Sequence, residues 1–211
     1  MKTRAEIKEL ARLNFSGCYW PCVGVAVIMP LFLAACSSFS LGLGALILSG
    51  PILAGMNFFF VQVFQGFGDT VDLGTPFSVG FTDFGRKLGG YLWMVLMIYL
   101  WTLLLVVPGI IKSFAYSQTV YILSDCPNVR AQDALKLSQR IMYGHKWELF
   151  VFQLSFIGWA MLSSFTFGLL GIFYVMPYYH TALAGFYLEV REEALRTGAV
   201  TMDQLNGAPV D

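Results

Sequence analysis

Charged side chains are scarce in this sequence: 13 basic and 13 acidic residues, 12% of 211 positions. A water-soluble domain carries about a quarter, because its surface must be solvated, so an ordinary soluble fold is excluded. Basic tracts are missing too, the net charge is zero, and nucleic acid is excluded as a partner. There are only two histidines, His145 and His180, too few for a histidine-rich metal centre. The four cysteines, Cys18, Cys22, Cys36 and Cys126, do not suggest a disulfide framework, since three lie near one expected side of the membrane. Cys18 and Cys22, one helical turn apart, read as small apolar residues. No nucleophile–base constellation or nucleotide loop stands out. The chain is therefore read as non-enzymatic, with no cofactor and no metal.

What the sequence has is apolar length, with 57% hydrophobic and 16% aromatic residues. No charge falls between Leu13 and Gly68, a stretch of 56 residues, or between Leu149 and Leu188, a stretch of 40. A membrane-crossing helix needs about 20 apolar residues, so each stretch holds two helices and a turn. The turns are expected at Ser37-Ser38-Phe39-Ser40-Leu41-Gly42-Leu43-Gly44 and at Ser163-Ser164-Phe165-Thr166-Phe167-Gly168. From Gly89 to Ser124 a single charge, Lys112, interrupts the apolar run. One helix of that length would extend about 54 Å against a hydrocarbon core of about 30 Å. A break is expected at Pro108-Gly109.

Orientation follows from the basic residues, which favour the cytoplasmic side. With six crossings, twelve of the thirteen fall on one face and only Lys112 on the other. Five crossings would divide them. The expected fold is all-α: a polytopic membrane protein of six transmembrane helices arranged as three hairpins, with amphipathic cytoplasmic interface helices and both termini cytoplasmic. The expected divisions are an amphipathic helix at 1–16, hairpin one at 18–66, a cytoplasmic segment at 67–88, and hairpin two at 89–124. A cytoplasmic amphipathic helix at 125–146, hairpin three at 147–190, and a cytoplasmic tail at 191–211 complete the chain.

Leu33-Ala34-Ala35-Cys36 resembles a lipoprotein cleavage site, which would make the first helix a signal peptide. Glu6, Glu9 and Pro21 in the preceding region oppose that reading; a small-residue packing face is the alternative.

Each third of the chain has an amphipathic segment, a glycine at the membrane boundary (Gly17, Gly85, Gly144) and a proline expected to start the second hairpin helix (Pro51, Pro108, Pro177). Thr3 and Glu6 have capping-box spacing, with Ile7, Leu10, Ala11 and Asn14 on one face. Thr75-Pro76 reads as a helix start. The third segment, about Val129 to Tyr143, sets Ala131, Ala134, Leu135, Ser138, Ile141 and Met142 on its less polar side. The spacing is uneven, so either a threefold repeat or the common needs of any helical hairpin explains it.

Asp83-Phe84-Gly85-Arg86-Lys87, Val107-Pro108-Gly109-Ile110-Ile111-Lys112 and Tyr143-Gly144-His145-Lys146-Trp147-Glu148-Leu149-Phe150, with Ser49-Gly50-Pro51 and Ser155-Phe156-Ile157-Gly158-Trp159, resemble bacterial membrane proteins grouped as domain of unknown function 975. A more distant similarity is to the membrane domain attached to glycerophosphodiesterases. The resemblance implies a multi-pass protein of the bacterial cytoplasmic (inner) membrane and brings no activity.

Polar groups within a bilayer are costly and so are candidates for function. Asn57, Lys112, Tyr116 and His180 could meet in a cavity contacting a ligand or lipid; snorkelling of Lys112 and interhelical hydrogen bonds are the simpler readings. Arg130, Lys136, Arg140, His145 and Lys146 are candidates for cytoplasmic headgroup contact. Expected partners are membrane lipids, with a membrane protein or a second copy of the chain as further candidates. The leading reading is a lipid- or amphiphile-binding module or membrane-protein partner. The alternative is a small-molecule transporter or permease using Asn57, Lys112 and His180.

Overall fold

The computed structural model describes residues 2–39, 43–70 and 72–210. Of the expected first turn, residues 37–39 end α2 and residues 43–44 begin α3, while Ser40, Leu41 and Gly42 lie outside the described residues. Helices, and no strands, make up the described residues: α1 (Arg4–Gly17), α2 (Tyr19–Phe39), α3 (Leu43–Phe64), α4 (Thr75–Phe81), α5 (Phe84–Leu104), α6 (Val106–Tyr116), α7 (Thr119–Asp125), α8 (Ala131–Ile141), α9 (Lys146–Leu154), α10 (Ile157–Phe165), α11 (Met176–Arg196) and α12 (Met202–Leu205). A π-helical turn, Gly171–Val175, leads into α11.

Four stretches are long and apolar enough to cross a membrane: Tyr19–Ser38, Gly44–Phe64, Phe84–Leu104 and Lys146–Phe165. They differ in surroundings. In Gly44–Phe64, 61% of the apolar window is buried in protein, against 11% in Phe84–Leu104 and 17% in Lys146–Phe165. So α3 is a central helix, while α5 and α9–α10 present apolar flanks outward. Leu103, Leu104, Leu105, Val106 and Val107 are each at least 62% exposed, and Phe167 is 99% exposed. A protein in water does not display such patches; a bilayer accommodates them.

The return helices α7 and α11 lie inside. All of Thr119–Ser124 in α7 is buried, and α11 buries Ala182, Ala184, Phe186, Tyr187 and Val190. Tyr121 stacks on Tyr187 at 5.0 Å. Arg191 donates to Asp125 at 2.6 Å, tying the end of α7 to α11.

Local signals in the sequence act where expected at both ends. Thr3 and Glu6 form a capping box on α1, and the turn after α10 places Phe167 and Gly168 in the left-handed region. Glycine pays no steric cost there.

Four expectations need correction. The break in the middle region is at Leu105, in extended backbone, three residues before Pro108. Proline fits the first turn of a helix, where its missing N–H leaves no bond unmade, so Pro108 sits inside the start of α6 rather than at the break. Gly109 is needed for approach: a Cβ there would lie 2.2 Å from the Thr102 hydroxyl on α5. Pro51 does not start a helix; it lies within α3. Gly74, not Thr75, caps α4, and Asp72 supports the turn by accepting from the amides of Gly74 and Thr75. A bond from the Thr75 hydroxyl, with those from the two amides, holds its carboxyl below the usual carboxylate range.

Lastly, the apolar faces of the amphipathic helices are covered by protein. Ile7, Ala11 and Phe15 of α1 are at most 2% exposed, packed with α11 and α3. Leu137, Ser138 and Ile141 of α8 are equally buried. The tail is also docked: Val200, Leu205 and Val210 are buried, and Lys136 donates to the Val210 carbonyl.

Candidate functional site

The loop after α7 turns α8 back alongside α6. The return is pinned by Ser138, whose hydroxyl donates to the Ala115 carbonyl at 2.8 Å and accepts from the Gln118 amide at 3.2 Å. This register carries Gln139 to Lys112, whose ammonium donates to the Gln139 side-chain oxygen at 3.3 Å. The same ammonium lies 5.0 Å from the Trp101 ring and 5.6 Å from the Tyr116 ring. Lys112 therefore meets α8, whereas the sequence reading sets the two on opposite faces. Sequence separation hid this, because nothing local announces that α8 reverses against α6.

Beside that contact, Ala115, Gln139, Arg140, Tyr143, Lys146 and Ala199 line a groove of about 330 Å³. Gly144, with φ of 86°, makes the turn that lets α9 start next to the end of α8, and Phe114 meets Phe150 edge-on across the α6–α9 contact. Two cations, Arg140 and Lys146, thus line one opening, and Lys112 is joined to it through Gln139. Tyr143 and Trp147 next to it are 83% and 71% exposed, the amphipathic rings that favour a bilayer interface.

The other expected headgroup residues are placed differently. Lys136 holds the tail, His145 pairs with Glu148 at 2.9 Å, and Arg130 is exposed at the opposite end of α8. Among the ligand candidates, Lys112 and Tyr116 come together. Asn57 is buried on α3, one turn from Phe60, on which His180 of α11 stacks at 5.3 Å. Among the described residues, the partners of Lys112 (Gln139, Trp101, Tyr116) and of His180 (Phe60, Tyr179) have no member in common.

Two charges that sequence reasoning assigned to simple anchoring have structural partners. Arg86 donates to the carbonyls of Leu123, Cys126 and Val129, closing the end of α7. Lys87, 3% exposed, donates to Val79 and Thr82 at the end of α4. Helix C-termini leave four carbonyls unpaired, and cations there satisfy both bond and dipole. The signal in the sequence was an Arg-Lys pair entering a long apolar helix, which positive-inside reasoning explains equally well.

Residues 91–194 match the family described as protein of unknown function (DUF975). No curated protein and no solved structure matches the chain. Nothing in these comparisons extends to the membrane domain of glycerophosphodiesterases.

Proposed function

Because residues 91–194 place the chain in the DUF975 family of proteins of unknown function, we propose its role from its own geometry. It is a membrane module that holds anionic lipid headgroups in the groove between α6, α8 and α9. The observation that carries this is the meeting of Arg140 and Lys146 in a groove whose Gln139 also holds Lys112. Each cation near an anionic surface contributes about 1 kcal/mol, and a concave site with flanking aromatic rings turns a diffuse attraction into a located one.

The orientation proposed has both termini on the cytoplasmic side of a bacterial cytoplasmic membrane. The three hairpins enter the bilayer by their apices. In the second, α6 has 11 residues, a rise of about 17 Å, and does not cross a hydrocarbon core of about 30 Å. A cysteine introduced as Val106→Cys in a background without the native cysteines should resist a membrane-impermeant maleimide added outside spheroplasts. Rapid labelling would show instead a complete crossing.

The test of function is retention of lipid. Purified protein in nanodiscs of mixed phosphatidylglycerol and phosphatidylcholine should retain phosphatidylglycerol on release into a mass spectrometer. Arg140→Glu with Lys146→Glu should weaken that retention by about thirtyfold or more, two contacts of about 1 kcal/mol each being lost and replaced by repulsion. Unchanged retention would sink the proposal.

A further inference from the structure

Between α10 and α11 lies a second, open groove of about 490 Å³, whose lining is mainly apolar. Its shape follows from its residues. Ala160, Ser163, Gly168 and Gly171 leave space between the arms, and the π-helical turn at Gly171–Val175 adds a residue to one of them. π-turns of this kind are frequent at functional sites. One end is closed, because a Cβ on Gly171 would lie 2.3 Å from the Ser163 hydroxyl. The other end is formed by Phe156, Gln153 and Tyr179. Phe156 and Ser163 are two helical turns apart, about 10 Å.

A cation stands at that other end. Lys8 of α1 reaches across, with its ammonium 4.3 Å from the centre of the Phe156 ring and donating to the Ser155 hydroxyl. It is half-buried, and among the described residues no carboxylate pairs with it. Burial pushes its pKa down, and Arg4 adds to the push with a charge of the same sign. A cation in such a place lacks an anion.

We infer that this groove binds a single acyl chain carrying an anionic head, the chain between α10 and α11 and the head against Lys8. The inference rests on the reading of the protein as a lipid-binding membrane module but uses a different part of it. A lipid occupant, rather than a helix, is indicated by the pairing of one charge with a narrow apolar slot. The outer wall supports it: Ile157 and Met176 are exposed on a hairpin that already presents its flank to lipid. The head is a carboxylate of a fatty acid or a phosphate of a phospholipid.

The experiment is photolabelling of the full-length protein in dodecyl maltoside micelles. Palmitate and phosphatidylglycerol, each with a diazirine near the end of one chain, are used separately, with the matching fatty alcohol as the uncharged probe. Peptide mass spectrometry should find the label concentrated in residues 156–176 for at least one anionic probe and absent there for the alcohol. Whichever anionic probe labels identifies the head. Ala160→Phe, which fills the slot, and Lys8→Gln should each lower labelling about tenfold, the scale of one hydrogen bond to a charged group. Lys8→Arg should preserve it. Labelling spread evenly over the apolar helices, or unaffected by Ala160→Phe, overturns the inference. Arg140→Glu with Lys146→Glu should leave the label in place. Loss of lipid retention in that variant with the label intact separates the two sites. Intact retention with diffuse labelling overturns only this one.

Discussion

Arg86→Met lowers the stability of the purified protein by about 3 kcal/mol, the scale for hydrogen bonds made by a charged group. For a chain of this size that is a fall in Tm of about 6–12 °C. The guanidinium reaches three carbonyls, those of Leu123, Cys126 and Val129, at 2.8, 3.2 and 3.0 Å. Cys126 and Val129 lie in the turn that sends α8 back toward Lys112, so the variant should also weaken lipid retention in the groove. Arg86→Lys separates this account from simple anchoring. It keeps the charge, but one ammonium cannot match the reach of the planar fork, so it should recover no more than about half of the loss. Thermal unfolding in detergent checks both. If Lys serves as well as Arg, the residue is an anchor and the capping account is wrong.

Gly55→Val should be at least as damaging. A Cβ on Gly55 would lie 1.9 Å from the Pro76 carbonyl oxygen and 3.1 Å from the Cα of Gly80. On the facing side, a Cβ on Gly80 would lie 2.7 Å from the Pro51 carbonyl oxygen. The neighbours are backbone and cannot rotate away, so α4 must move off α3. Overpacking of this kind costs about 3 kcal/mol or more. Gly89 is the control. A Cβ on Gly89, in α5, would meet nothing within 4 Å, and replacing an exposed helical glycine by alanine gains about 0.5–1 kcal/mol. Gly55→Val and Gly89→Ala should therefore shift Tm in opposite directions, and a shared direction would show that helix propensity, not close approach, governs these positions.

The legible parts of this protein are those whose cause is local. The capping box at Thr3 needs only four residues, the turn at Thr166–Gly168 needs a residue tolerant of positive φ, and membrane class needs only uninterrupted apolar length. The break in the middle region lies three residues before Pro108, because proline is accommodated anywhere in the first turn of a helix and so does not mark its first residue. The candidate site was half legible. Arg140 and Lys146 stand out by charge, but Gln139 carries no signal, and without it the contact of Lys112 with α8 is not legible.

The sequence by itself determined a helical chain with stretches long and apolar enough to cross a membrane, because hydropathy acts over single helices. The tertiary structure alone decided what the basic residues meet. Arg86 and Lys87 close helix ends, Lys8 stands by an apolar slot, and Lys112 is joined through Gln139 to the groove of Arg140 and Lys146. Each pairing depends on which helix folds back against which, and that is set by the burial of side chains distant in sequence, Ser138 under Ala115 and Gln118 among them.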